Sequence, residues 1–313
     1  MRNDSTPRAV VRDNVSLLFR NWDGARDGKV ESVHQARIAT RRLRAALEVL
    51  GAGADKIKLC RSLGRNFGRV RELDAAHELM ADFASRVPAA AAVLGIVRGE
   101  IDARRLRARR RLVKALDAIT PRPLAQVGAR RYSSALKFWT DWHEGLIAAV
   151  SARTRALRHA LDAAPLVYMP NRLHRVRIAL KKLRYTLEIA AATGTSIDPR
   201  ALRDAGKMQD LLGRMHDLQT TRELIRRLQV SGGRMSDERK LLDAVMTSEC
   251  ASLYATYVSR RERLGGICEY AASLIISRPA ARAGRVVLRA LPAVGIAALP
   301  VVMRRLAAGA AAR

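Results

Sequence analysis

The chain has 313 residues, 49% of them hydrophobic, which gives one large domain or two of ordinary size a core to bury and excludes an intrinsically disordered protein. Lys and Arg number 58 against 29 Asp and Glu, a net charge of +29, far beyond what solubility asks for, so the expected partner is a polyanion. Of the basic residues 49 are Arg, whose planar fork binds phosphate bidentately, and phosphate is therefore the first ligand to consider.

The N-terminus, Met1-Arg2-Asn3-Asp4-Ser5-Thr6-Pro7, runs into charged residues without the apolar core of a secretory signal. Three cysteines, Cys60, Cys250 and Cys268, show no Cys-x-x-Cys spacing. Both features lead to the expectation of a cytoplasmic, reducing compartment. Apolar residues recur at three- and four-residue spacing, with Pro and Gly at the breaks, so the fold class expected is all-α. Helices are predicted over 7–23, 30–50, 55–86, 88–118, 129–163, 171–192, 199–230 and 236–270. Thr120-Pro121-Arg122-Pro123 is the main break, because two prolines in three residues end one helix and disfavour an immediate restart. It divides the chain into 1–122 and 123–270, with 271–313 as a basic, apolar tail.

An internal repeat decides the reading. Residues 33–48 align without gaps to 173–188, with eight identical positions and two more basic in both. A weaker match pairs 68–74 with 213–219 in the same order. The chain reads as a duplicated four-helix unit, and two such units related by an approximate two-fold axis would bring their equivalent helices together.

On a helix, His34, Arg37, Arg41, Arg44 and Glu48 fall within about 80° of one another, while Ala36, Ala39, Leu43 and Ala46 lie roughly opposite. The second copy repeats this stripe with His174, Arg177, Lys181 and Arg184. A third stripe, Arg104, Arg107, Arg111 and Lys114, has the same spacing. A solvated helix face intersperses acids four residues from its bases, because like charges at that spacing repel. Stripes that accumulate like charge instead point to an anion site. Glu48 and Glu188, four residues after Arg44 and Arg184, are read as holding those arginines in place. His34 and His174 open the two motif helices. Neither stands in a His-x-x-x-His pair or beside an acid that would complete a metal site, which leaves phosphate donor or structural hydrogen bond as their readings.

The runs Val33-His34-x-x-Arg37-Ile38-Ala39-x-Arg41-Arg42-Leu43-Arg44 and Leu173-His174-x-x-Arg177-Ile178-Ala179-x-Lys181-Lys182-Leu183-Arg184-Tyr185, with Leu211-Leu212-Gly213-x-x-His216-Asp217, resemble the CHAD family, the conserved histidine α-helical domain. The resemblance covers roughly residues 7–265. It implies two pseudo-symmetric four-helix bundles around a basic cavity that binds inorganic polyphosphate. It points to His34, Arg37, Arg41, Arg42 and Arg44, to His174, Arg177, Lys181, Lys182 and Arg184, and to Arg69, Lys207 and Arg214 on neighbouring helices. The first half carries Arg71-Glu72-Leu73-Asp74 where the family usually shows Arg-Asp-Leu-Asp.

No Walker loop, His-Glu-x-x-His helix or Glu-x-Glu-x-Lys strand of the often linked CYTH triphosphatases occurs, so binding without catalysis or cofactor is expected. Nucleic acid is the rival ligand. Only 4% of residues are Phe, Trp or Tyr, and the motif helices offer just Tyr185 for stacking on bases. The cluster Phe138-Trp139-Thr140-Asp141-Trp142 is read as core between bundles. Residues 286–303 approach membrane-spanning length but contain Arg289, Pro292 and Pro300. Surface association of the tail with a membrane or granule, and packing back onto the bundles, both stay open. The partners expected are polyphosphate and, through it, a polyphosphate granule surface or a polyphosphate-metabolising enzyme.

Overall fold

The computed structural model describes residues 7–119, 142–228 and 233–276. Among the described residues every regular element is helical. In chain order they are α1 (Pro7–Arg20), α2 (Trp22–Arg26), α3 (Val30–Val49), α4 (Ala54–Arg86), a short 3₁₀ turn (Pro88–Ala90), α5 (Ala91–Asp117), α6 (Trp142–Asp162), α7 (Pro170–Ala192), α8 (Pro199–Arg227) and α9 (Gly233–Ile276). The all-α expectation holds. The predicted Pro-rich break at 120–123, most of the aromatic cluster at 138–142 and the apolar stretch 286–303 lie outside the described residues.

The first predicted helix, 7–23, is two. Asn21 stands between α1 and α2, and its side-chain amide donates to the Leu17 carbonyl at 2.8 Å, drawing off a carbonyl at the end of α1. The motif helices α3 and α7 end in the same device. Gly51 (φ +63°) and Gly194 (φ +87°) take the left-handed conformation that a side chain disfavours. The following N–H groups, of Ala52 and Thr195, reach back to the Leu47 and Ala190 carbonyls, each at 2.9 Å.

Apolar residues at three- and four-residue spacing give each motif helix a buried stripe. Val33, Ala36, Ala39, Leu43, Ala46 and Leu47 form the buried stripe of α3, and Leu173, Val176, Ala179, Leu180, Leu183 and Leu187 that of α7. α3 packs on α1, α4 and α7, and α7 packs on α6 and α8. A core cluster then joins the two halves of the chain. Met80 and Phe83 of α4 and Val97 and Ile101 of α5 meet Leu218 and Ile225 of α8 and Leu242 and Met246 of α9. Full burial of each such side chain is worth about 1.5–3 kcal/mol. The described residues up to 272 accordingly form one compact unit. Cys60, Cys250 and Cys268 are free thiols buried in the helices. No single helix among the described residues is long and apolar enough to cross a membrane.

Polar contacts between distant segments finish two helix ends. Arg261 of α9 donates to the Leu161 and Ala164 carbonyls at the C-terminus of α6, at 2.6 and 3.1 Å. The buried Glu238 of α9 accepts the Val93 N–H in the first turn of α5 at 3.1 Å, as an N-cap side chain would do from within the chain itself. Glu238→Ala should therefore cost about 1 kcal/mol and lower Tm by roughly 2–4 °C in a chain of this size, with Glu238→Gln losing less because it keeps an acceptor. Thermal unfolding followed by circular dichroism checks both.

Candidate anion-binding site

The packing of α3 on α7 turns their basic stripes toward one another. Each motif helix is backed by the long helix that follows it, and the four enclose a cavity of about 550 Å³. From α3 come His34, Arg37 and Arg41, and from α7 come His174, Arg177 and Lys181. α4 adds Arg71 and Glu72, and α8 adds Gln209, Asp210, Arg214, His216 and Asp217. Matching contacts seat the two inner arginines. Arg37 Nε lies 3.9 Å from where a Cβ on Gly68 would be, and Arg177 Nε lies 3.8 Å from the same point on Gly213.

Cations outnumber acids at this site, and burial strips them of water. Burial, with Arg41 alongside, brings Arg37 down to about 10. Lys181 falls to about 7, from burial first and then from Arg41, Arg177, Arg37 and Arg44. Burial also lowers His34 and His174, with Arg71 adding to it for the first and Arg177 and Lys181 for the second. His216, its ring 4.5 Å from that of His174, falls to about 4 through burial and the neighbouring Arg177. These are the shifts of a site holding more positive charge than its own carboxylates neutralise. The Nδ1 atoms of His34 and His174 and the Nε atoms of Arg37 and Arg177 are buried without a hydrogen-bond partner. Such groups cost free energy until an acceptor reaches them.

The remaining sequence-predicted residues lie outside the cavity lining. Arg42 and Arg184 both donate to Glu188, at 3.1 and 2.9 Å, so this one carboxylate ties α3 to α7. Arg44 is 3.5 Å from Glu48. Glu48 in turn accepts from Arg153 of α6 at 2.9 Å, and Arg153 also reaches the Thr186 hydroxyl. The glutamates thus hold arginines, as their spacing indicated. Lys182 and Lys207 are exposed, and Arg69, also exposed, is 3.9 Å from Glu72. Arg214 does line the cavity, but its other contacts are Glu249 at 2.7 Å and Asp82 at 3.0 Å.

The third stripe also falls elsewhere. On α5, Arg104 pairs with Glu100 at 2.5 Å, Arg107 is 3.6 Å from the same acid, and Arg111 and Lys114 are exposed. The arginines that α5 turns inward are Arg105 and Arg109, which meet the buried Asp74 at 2.9 and 3.5 Å. Residues missed as site members are Arg71, Glu72, Gln209, Asp210, His216 and Asp217. The signal that could have found four of them was the weaker repeat, 68–74 against 213–219. Among the described residues no group of three or more His, Cys, Asp and Glu side chains could hold a metal ion.

Four helices thus surround a lining in which cations outnumber carboxylates. A family model for the CHAD domain matches residues 9–226, and the chain belongs to the CHAD domain family. Its fold is similar to that of PptA from Streptomyces chartreusis, with a TM-score of 0.60 at 16% identity over 85% of this chain and 99% of the other. It is also similar to a CHAD domain from the plant Ricinus communis, with a TM-score of 0.54 at 18% identity over 89% of this chain and 92% of that one. No curated protein matches the sequence.

Because Lys181 has a folded-state value near 7 against 10.5 for a free lysine, the unfolded chain binds more protons between those limits, and stability rises with pH across that window. Lys181→Met removes the buried charge. It should raise Tm by a few degrees at and below neutral pH, with the gain over wild type shrinking as pH climbs toward 10.5, the ordinary lysine value. Thermal unfolding across that pH range measures it.

Proposed function

We propose that this chain binds inorganic polyphosphate in the cavity between α3 and α7 and performs no chemistry on it. The observation that carries this reading is the set of buried polar nitrogens on His34, Arg37, His174 and Arg177 that have no partner among the described residues, with Lys181 and Arg41 lining the same cavity. A chain of phosphates offers acceptor oxygens at every repeat, each charged, and hydrogen bonds to charged groups are worth about 1.5–3 kcal/mol apiece. The anion would also restore the charge of Lys181 and of the histidines, so binding takes up protons and weakens as pH rises above neutrality.

Two observations favour polyphosphate over RNA or DNA. Among the described residues the lining holds no Phe, Tyr or Trp, the rings on which single-strand binders usually stack bases, and its only rings are the imidazoles of His34, His174 and His216. A volume of about 550 Å³ suits a slender, baseless polymer and excludes a duplex. Binding without catalysis is supported by a lining in which cations outnumber carboxylates. Such a protein would work in the cytoplasm, where it could dock on polyphosphate granules or present polymer to an enzyme that metabolises it.

Competition at fixed salt among long-chain polyphosphate, single-stranded RNA and duplex DNA tests the ligand. Polyphosphate should bind tightest, with log K falling against log salt with a slope of about −3 to −4 if most of the lining cations are engaged. Equal or tighter RNA binding contradicts the reading. Purified protein with Mg²⁺ or Mn²⁺ should release no phosphate. Sustained release that Asp217→Asn abolishes would show an enzyme instead.

A further inference from the structure

Three carboxylates line a cavity otherwise suited to anions, and two of them occupy matching positions in the weaker repeat: Glu72 on α4 and Asp217 on α8. Elsewhere in the molecule acids hold arginines closely: Glu188, Asp243 and Glu249 accept from Arg184, Arg222 and Arg86 at 2.8–2.9 Å. Asp217 has no hydrogen bond or ion pair among the described residues, and Glu72 has only the 3.9 Å approach of Arg69. In a site that only gathers negative charge, such groups repel the ligand and reduce affinity. Their presence makes sense where the ligand brings a proton to them.

We infer that Asp217, with Glu72 beside it, makes the cavity select phosphate groups that carry a proton, which on a polyphosphate chain are its ends. The inference rests on the polyphosphate reading above. An internal phosphate bears one ionised oxygen and no proton, so it meets a carboxylate as one acceptor meets another. A terminal phosphate has a second, weakly acidic proton, with a pKa of about 6 in phosphate monoesters, and its P–O–H group donates to the carboxylate while its other oxygens accept from Arg37, Arg177 and the histidines. Sites that hydrogen-bond a ligand proton reject analogues lacking it, because their own buried polar group is left unpaired. The Gln209 side-chain oxygen, buried in the same lining without a partner, is a further acceptor of this kind. Burial and the charge of Glu72 raise Asp217 above the usual carboxylate range even though Arg177, Arg37 and Arg71 face it, so it holds a shared proton more readily than a surface aspartate would.

The test compares linear tripolyphosphate, which has two ends, with cyclic tetrametaphosphate, which has none and whose charge is close to that of the linear ion near neutral pH. Both are titrated calorimetrically into the full chain at matched salt in slightly acid solution. Wild type should prefer the linear ion about tenfold, equivalent to ~1.4 kcal/mol. Asp217→Asn should remove most of that preference, chiefly by binding the ring more tightly. Other ionisable groups face the cavity, Lys181, His34, His174 and His216 with Glu72, Asp210 and the arginines, so the pH response is read as the difference between wild type and Asp217→Asn. That difference should shrink in alkaline solution as chain ends lose their protons. If Asp217→Asn fails to fold, as judged by circular dichroism, Glu72→Gln takes its place and should reduce the preference in the same direction. Tight binding of both ions with no preference, or a preference that survives in the folded variant, overturns the inference and leaves the polyphosphate reading standing. Binding of neither ion overturns both.

Discussion

Two helices that carry cations on the same face repel when those faces meet, and α3 and α7 are packed so that they do. The core sets this arrangement. The buried apolar stripes of α3 and α7 seat both helices in the bundle, and the cluster shared by α4, α5, α8 and α9 locks the two halves of the chain together. With the backbones fixed by apolar burial, His34, Arg37, Arg41, His174, Arg177 and Lys181 have nowhere to point but into a common cavity. Burial first, and then the neighbouring cations, bring Lys181 to about 7 and His216 to about 4. On the proposed reading a polyanion relieves the repulsion, so the same feature that weakens the free protein would drive binding.

Glutamates decide which cations are available. Glu188 holds Arg42 and Arg184, and Glu48 holds Arg153 beside Arg44. These pairs sit about one turn beyond the cavity and tie the motif helices to each other and to α6. The cations toward the helix N-termini lack such partners. One basic run is therefore divided along its length, with tethering at the C-terminal end and, on the proposed reading, ligand contact at the N-terminal end. Arg214 lies between these roles, lining the cavity while pairing with Glu249 and Asp82 of α9 and α4.

Periodicity and the repeat made the helices and the facing residues of α3 and α7 legible, because both depend on spacing within one segment. What the sequence could not show is which acid from a distant segment reaches each base. Glu188 follows Arg184 by one turn, but its contact with Arg42 spans 146 positions and exists only because α3 packs on α7. For the same reason the α5 stripe looked equal to the other two. Its spacing is the same, yet packing turns Arg105 and Arg109 inward to Asp74 and leaves Arg111 and Lys114 in solvent. The contributions of α4 and α8 were hidden in a seven-residue match too short to weigh heavily. The break at Asn21 was missed because a side chain competing for one carbonyl leaves no trace in hydrophobic periodicity.

On the proposed reading the two motif helices grip one polyanion together, and a pair of charge reversals with equal change in net charge tests this. Arg41→Glu with Lys181→Glu places one reversal on each side of the cavity, whereas Arg61→Glu with Arg65→Glu places both on the exposed face of α4. Polyphosphate affinity is measured by calorimetry at one salt concentration, with helicity checked by circular dichroism. The account predicts a loss of several kcal/mol for the cavity pair, from about 1.5–3 kcal/mol per hydrogen bond to a charged group, and a far smaller loss for the surface pair. Equal losses with helicity unchanged would mean that net charge alone attracts the polymer, and the joint grip of α3 and α7 would be wrong.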